Sequence, residues 1–511
     1  MNRFVVPLCL ALILSGALAR VGAAERGRAV IRVDFGSAHG RIDRNIYGHF
    51  AEHLGACIYG GMWVGDDPKF ANERGWRTDV RDLVRALQPP IIRWPGGCFS
   101  EFYHWEDGLG PREKRPLRFD WLWKKPEPNS VGTHEFMDFC RQVGAEPLVV
   151  VNVRTGTPEE AAAWVRYCND PPATPAGRRR AANGHPKPFR VHYWGIGNES
   201  WDTGIETSAH KFVEFAQAMR QADPGIKLVA VGSHPGMEEG GAAWNRRMLE
   251  VAGGDLDYLA PHHYAGFAGR NPEDPGDYYA NLATARDFAS TLERAATVMD
   301  EVLADPEAGI AFDEWGIWIH SEQGIQHSYD LSDGLVAAMT FHAMQRLSGR
   351  VKMACWAQLV NVLGMIQADD RGAWVTPVYL AFQMYGTLCG DQAAASTVEC
   401  ETFDVPAAKR PGFTGIRYLD VSATRASDGS RGVLAVVNQH REAAIETELD
   451  LAGLPGEARV TAYEMNGPAP FAGNSREQPH AVKIATRVLD APPATYTFPA
   501  HSVTVLVYEK Q

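Results

Sequence analysis

Beyond residue 18 the 511-residue chain has no apolar run that could cross a membrane, which takes roughly 20 residues. It has no excess of basic charge either. Fifty Lys and Arg against 62 Asp and Glu give a formal charge of −12, which argues against a nucleic-acid polyanion and fits a neutral substrate. The eight cysteines show no CxxC spacing, so neither a zinc ribbon nor a regular disulfide framework is expected. There is no internal repeat and no low-complexity tract. What is present is 45% hydrophobic and 22% charged residues, which suits a barrel-sized domain plus a smaller one.

The N-terminus, MNRFVVPLCLALILSGALARVGAAERG, combines Arg3, an apolar run from Phe4 to Leu18 and the small residues Gly22, Ala23 and Ala24. This predicts a signal peptide over residues 1–24 and a secreted or periplasmic destination. Its removal takes away Cys9 and leaves seven scattered cysteines, most of them read as buried thiols with a single bridge left open.

Along the rest of the chain, β-like runs alternate with amphipathic helical runs as in repeated βα units. The expected strands are NIYGHF (45–50), PPIIRWPGG (89–97), EPLVVVNV (146–153), VHYWGIGNE (191–199), KLVAVGS (227–233), DYLAPHHY (257–264), GIAFDEW (309–315) and VKMACWAQL (351–359). Eight such strands predict an α/β fold of the (β/α)8 TIM-barrel type over 43–380. Helices are expected over 76–88 and 134–143, after the Thr157-Pro158-Glu160 capping signal, and after Glu199 with Phe212, Phe215, Ala216 and Met219 inward. The Pro-, Gly- and Arg-rich stretch 171–188 reads as an exposed loop with solvated arginines. Past residue 380 short alternating runs predict a C-terminal all-β sandwich over 381–511, to which an early strand within 25–42 adds.

Two of the strands end in glutamate, Glu199 in YWGIGNESW and Glu314 in GIAFDEWGIW. In a barrel of this kind the C-terminal strand ends converge on one mouth, whatever their distance in sequence. A pair of carboxylates there is what glycosidic cleavage requires: one protonates the leaving oxygen, the other attacks or stabilises the anomeric carbon. The tryptophans beside them, Trp194, Trp201, Trp315 and Trp318, offer apolar faces for a sugar. The scattered His and Cys give no ligand cluster, so no metal or organic cofactor is expected.

GHFAEHLG (48–55), IIRWPGGCF (91–99), YHWEDGLGP (103–111), YWGIGNESW, FDEWGIW and AQLVNVL (357–363) together resemble glycoside hydrolase family 51, the α-L-arabinofuranosidases. That resemblance implies a jelly-roll-like sandwich beside the barrel, Glu199 as general acid/base and Glu314 as nucleophile. It implies substrate contacts from Asn198, Glu52 and Gln358 to sugar hydroxyls, from His262 and Tyr264 on strand six, and from Trp318 lining the subsite. It also implies a homo-oligomer acting on arabinose-containing oligo- or polysaccharides; charge and the lack of a membrane-length run already argue against nucleic acid and membrane as partners. Cys98 stands where many members carry a sugar-binding asparagine, and a thiol is the poorer donor and acceptor. Trp63 could line the site or pack beneath it, while His53 and His263 read as structural.

The expected reaction is double displacement with retention, releasing terminal α-L-arabinofuranosyl units from hemicellulose or pectin. For this Glu199 is expected in the less solvated position with a raised pKa, and Glu314 ionised and hydrogen-bonded. Fold and carboxylates do not specify the ring. The same chemistry on another furanoside, a xyloside or a β-glucan stays open, as does a secreted carbohydrate-binding protein without catalysis.

Overall fold

The computed structural model describes residues 29–267, 269–319, 325–454 and 458–510. The leader predicted over 1–24 lies outside the described residues. Eight parallel strands form the barrel: Gly48–Phe50, Ile91–Trp94, Glu146–Val151, Tyr193–Ile196, Lys227–Val231, Tyr258–Ala260 continued by His262–Ala265, Gly309–Ile317 and Val351–Ala357. The sixth strand pairs with the seventh through Tyr258–Gly309 and Leu259–Ile310. The eighth returns to the first through Cys355–Gly48 and Ala357–Phe50, closing the ring. Each strand overlaps a run expected from sequence, and the fold class is the one expected.

Strand alternation explains why these runs are apolar on both faces. Phe50, Ile91, Leu148, Val229, Ala260, Ala311, Met353 and Cys355 meet in one cluster that plugs the barrel. Their neighbours Ile92, Val149, Leu228, Ile310 and Ala354 belong instead to the larger core under the surrounding helices. The inward register continues past Ile91 to Arg93 and past Ala311 to Asp313, so charged groups stand directly on the apolar plug. The Arg93 guanidinium lies 4.6 Å above the centre of the Phe50 ring.

The helices start where the capping residues place them. Thr157 accepts the Glu160 N–H at the head of Pro158–Asn169, and Phe212, Phe215, Ala216 and Met219 are the buried face of Ile205–Ala222. The stretch 171–188 departs from expectation. Thr174 and Pro175 start a helix over Pro175–Ala182, a Thr-Pro start like that at 157–158. Arg180 within it is fully buried and donates to the carbonyls of Tyr167, Asp170 and His185. It thereby satisfies the C-terminal carbonyls of the preceding helix, which have no partner of their own. Arg178 and Arg179 remain exposed.

After the helix Pro377–Leu388 comes a nine-stranded sheet, ordered Lys483–Leu489, Ala458–Asn466, Ser502–Lys510, Arg431–Asn438, Leu419–Arg425, Gln392–Glu399, Ala29–Arg41, Ile445–Ala452 and Thr495–Phe498. The first described strand thus lies inside it, antiparallel to Gln392–Glu399 and parallel to Ile445–Ala452. The sheet encloses its own core of Ile31, Val33, Leu434, Val436, Leu449, Phe498 and Leu506. The alternate residues Val433, Ala435, Val437, Val503 and Val505 face the barrel core, which is why GVLAVVNQ reads as an unbroken apolar run. No described helix is long and apolar enough to cross a membrane. The seven described cysteines are all free.

Ile31 is fully buried in the sheet core, so Ile31→Ala is expected to cost about 2–5 kcal/mol. A lowered urea midpoint would show it; an unchanged midpoint would mean the early strand adds nothing to stability.

Candidate active site

Eight of the nine expected site residues, Glu52, Cys98, Glu199, His262, Tyr264, Glu314, Trp318 and Gln358, line one pocket of about 430 Å³. The ninth, Asn198, is buried behind it. The backbone that delivers Glu199 is unusual. Strand four ends at Ile196, Gly197 turns the chain at φ 79°, where a Cβ would meet a Val153 methyl at 2.6 Å, and Glu199 itself sits in the left-handed region at φ 39°, ψ 37°. A non-glycine residue there costs roughly 1–3 kcal/mol, the kind of strain that clusters at working sites. The turn is held by Glu101, whose Oε1 accepts the Asn198 N–H at 3.0 Å and whose other oxygen pairs with Arg154 at 3.4 Å. Burial pushes the Glu101 pKa up to about 7, against the pull of the Asn198 N–H and Arg154.

Glu314 is fixed through both oxygens. Tyr264 donates to Oε1 at 2.9 Å and Arg93 Nη1 to Oε2 at 2.7 Å. Arg93 also pairs with Asp313 at 3.1 Å and donates from Nη2 to Asn198 Oδ1 at 2.6 Å. His262 bridges the carboxylates: Nδ1 lies 3.0 Å from Glu199 Oε1 and 3.6 Å from Glu314 Oε2, and Nε2 lies 3.1 Å from Asp313 Oδ1. Burial alone would lower the pKa of this ring, but Glu314, Asp313 and Glu199 outweigh it and raise it to about 10. His262 is therefore an imidazolium that donates from both nitrogens. Asp313 is held below the usual carboxylate range, because Arg93 and His262 overcome its burial. Glu314 is pushed up by burial and by the charge of Glu199, with His262 and Arg93 opposing.

Ligand atoms of Glu199, His262 and Glu314 all lie within 4.8 Å of one another. Sequence reasoning expected no such His–carboxylate cluster, since the three residues come from strands four, six and seven. Three groups so placed have the spacing of a metal site; in this arrangement both ring nitrogens face carboxylates, Nδ1 towards Glu199 and Nε2 towards Asp313.

Glu52 follows the first strand and enters between Gly96 and Gly97, where Cβ atoms would come within 3.0 and 3.1 Å of its Oε1. Its oxygens accept from the Phe99 N–H at 3.0 Å and from Gln358 Nε2 at 2.9 Å. Burial and the charge of Glu314 bring its pKa up to about 7. Arg93 forms its ion pairs with Asp313 and Glu314 instead. The Cys98 Sγ sits 3.8 Å from Glu199 Oε2 and 3.7 Å from Asn198 Nδ2. Burial and the nearby carboxylates of Glu199, Glu52 and Glu314 push its thiol pKa up.

The relative exposure of the two glutamates is the reverse of the expected one. The Glu199 side chain is 21% exposed and that of Glu314 7%, because Glu314 lies inside its strand while Glu199 projects from a turn beyond one. Of the four tryptophans expected to face a sugar, Trp201 and Trp318 line the pocket, whereas Trp194 and Trp315 are fully buried in the barrel core, since their side chains point to the helix side of their strands. Trp123 and His234 also line the pocket and were not expected as site residues, nor were Arg93 and Glu101 behind it. The inward register of strand two could have revealed Arg93. No sequence signal marks Trp123, which sits in a long loop. Trp63 packs against Trp76 beneath the surface, outside the pocket lining. His53 is buried between Glu127 and Trp94, while His263, read as structural, hydrogen-bonds Thr291 and also borders the pocket.

A family model described as "Alpha-L-arabinofuranosidase 1 domain" matches residues 83–266, and one described as "Alpha-L-arabinofuranosidase C-terminal domain" matches residues 313–502. Alpha-L-arabinofuranosidase C of Emericella nidulans is 36% identical over 495 residues, covering 91% of this chain and 94% of that protein. An intracellular exo-alpha-L-arabinofuranosidase of Bacteroides ovatus is 37% identical over 72% of this chain and 74% of its own. The crystal structure of the alpha-L-arabinofuranosidase from Thermotoga maritima in an arabinose complex superposes with a TM-score of 0.86 at 36% identity, covering 94% of this chain and 100% of that one.

Two measurements check the electrostatics. Folding raises the His262 pKa from its ordinary 6.5 to about 10, so stabilisation by the charged ring is complete below pH 6.5 and is lost as pH rises through about 10. Nitrogen-15 NMR should therefore find His262 still protonated at pH 8, and a midpoint near 6.5 would refute the bridge. With its pKa raised, Cys98 is a neutral thiol at pH 8 and resists iodoacetamide in the folded protein. Peptide mapping that finds Cys98 alkylated before the protein unfolds would contradict this.

Proposed function

From the premise that this chain belongs to the α-L-arabinofuranosidases of glycoside hydrolase family 51, we propose that Glu314 is its nucleophile and Glu199 its general acid/base. The observation that carries this is their closeness, with oxygens of both and a His262 nitrogen within 4.8 Å of one another. Retaining enzymes place the two carboxyl groups about 5 Å apart, whereas inverting enzymes leave roughly 6.5–9.5 Å for a water molecule.

In the first step a Glu314 oxygen attacks the anomeric carbon while Glu199 gives its proton to the departing oxygen. Tyr264 and Arg93 orient Glu314 through separate oxygens, so the attacking atom is positioned before the sugar arrives. Ester formation neutralises Glu314 and removes the repulsion between the two carboxylates. Glu199 can then stay ionised and take the proton of the incoming water, which releases the sugar with retained configuration. A sugar seated against Trp318 would also cover Glu199, supplying the dry surroundings that the open pocket does not.

Glu52, Gln358 and Asn198 are proposed to hold the sugar hydroxyls, with Cys98 offering a weaker contact than an amide would. The substrate is a terminal, non-reducing α-L-arabinofuranosyl unit of hemicellulose or pectin. The apolar leader at 1–24 supports export to the periplasm or beyond. The Bacteroides ovatus relative is named intracellular, so destination is a matter of the leader and not of the catalytic fold. Assembly into a homo-oligomer is proposed on family resemblance alone.

Azide distinguishes the two roles. With an aryl α-L-arabinofuranoside carrying a good leaving group, Glu199→Ala is expected to lose about 10²–10⁴ in kcat and to regain turnover with azide, forming a glycosyl azide of retained configuration. Glu314→Ala is expected to lose at least as much and to give the inverted azide. Near wild-type activity in Glu314→Ala, or exchanged stereochemistry, would overturn the assignment.

A further inference from the structure

Six large hydrophobic side chains are exposed among the described residues, and four of them, Leu117, Phe119, Trp121 and Leu122, lie within one six-residue stretch. That stretch belongs to the hairpin formed by Arg118–Asp120 and Lys125–Glu127, which rises from the loop between strand two and its helix. A concentration of exposed apolar surface on one short element marks a contact surface rather than scattered surface apolarity. Trp121 is 78% exposed, and the Phe119 ring stands edge-on to it with centroids 4.9 Å apart.

The hairpin is continuous with the catalytic pocket. Asp120 Oδ1 accepts the N–H groups of Leu122 and Trp123, each at 3.0 Å, and so fixes the turn. Within that turn Trp123 lines the pocket while Trp121, two residues earlier, faces solvent. The base of the hairpin is anchored. Buried Glu127 is held by His53 and Tyr59, Arg115 donates to the Asn129 and Ser130 carbonyls, and Arg118 pairs with Asp107 at 2.7 Å. A tip of exposed aromatics on a fixed stem is a preorganised platform, since little side-chain and loop freedom is lost on binding.

We propose that the exposed Trp121 indole, with the Phe119 ring edge-on against it, forms a binding platform for the polysaccharide main chain that carries the sugar cleaved in the pocket. This rests on the function proposed above. If only the terminal sugar enters the pocket, the rest of the substrate must lie across its rim, and the hairpin contributes to that rim through Trp123. The flat C–H-bearing face of a chair-form pyranose ring is complementary to the electron-rich face of an indole. The platform therefore suits a β-1,4-linked pyranosyl chain such as xylan. It has no part in binding a small aryl arabinofuranoside, which ends at the pocket mouth.

The test compares kcat/KM on arabinofuranosyl-branched xylo-oligosaccharides with kcat/KM on a small aryl arabinofuranoside. The ratio is expected to fall about ten-fold in Trp121→Ala, chiefly through KM, as for loss of an aromatic anchor. Trp121→Tyr should restore most of it, which general damage to the fold would not allow. An unchanged ratio in Trp121→Ala and Phe119→Ala overturns the proposal. So does a fall that accompanies dissociation in sedimentation velocity, because the patch would then be a contact between copies of the chain. Isothermal titration of the same xylo-oligosaccharide into Glu314→Ala and Glu314→Ala/Trp121→Ala reads the platform without turnover. A failure of the arabinofuranosidase reading itself would appear separately, as absent wild-type hydrolysis of the aryl substrate.

Discussion

A single buried guanidinium, that of Arg93, makes the rest of the site tenable. It is 1% exposed, rests on the Phe50 ring at the top of the barrel plug, and meets Asp313, Glu314 and Asn198 with its three nitrogens. An isolated carboxylate in such a place would protonate or disrupt the fold, because desolvation costs several kcal/mol per ion. Burial works against the charged form of Arg93 as well, yet Asp313 and Glu314 hold its pKa above the usual arginine value. The planar fork suits this position, since one residue orients two acids and an amide that arrive from strands four and seven.

Around that cation the site is layered. Phe50, Ile91 and Ala311 form a dry floor, and Arg93 and Asp313 form a charged layer one inward step above it. His262, Glu314 and Glu199 form the layer that lines the pocket. Each layer constrains the next: the floor keeps water from screening the charges, and the charges fix the positions of the groups facing the pocket. Glu101 and the paired glycines Gly96 and Gly97 do similar work at the edge. Glu101 holds the strained turn of Glu199, and the absent side chains of the glycines leave room for Glu52.

Much of this was readable from the chain. The barrel strands announced themselves because burial on both faces leaves long apolar runs, and Glu199 and Glu314 stood out as acids at the ends of such runs. Sequence patterns carry less information about what happens between distant segments. The imidazolium bridge depends on three strands meeting, so nothing near His262 in sequence reveals its charge. Trp123 comes from a loop whose path into the pocket has no periodic signature. Arg180 looked like one of three surface arginines, because two of the three carbonyls it satisfies, those of Tyr167 and Asp170, lie at the end of the previous helix. The exposure of Glu199 relative to Glu314 depends on how far a turn projects from its strand, which residue type does not encode.

The position of His262 has a consequence for how the protein answers to acid and base. One ring touches Glu199, Glu314 and Asp313, so a proton gained or lost at any of them alters the field at the others. The two limbs of an activity profile against pH will then be macroscopic constants of the whole assembly, and neither can be credited to one glutamate. A substitution at His262 or Arg93 should displace both limbs together. In structure the two carboxylates are thus tied to one ring.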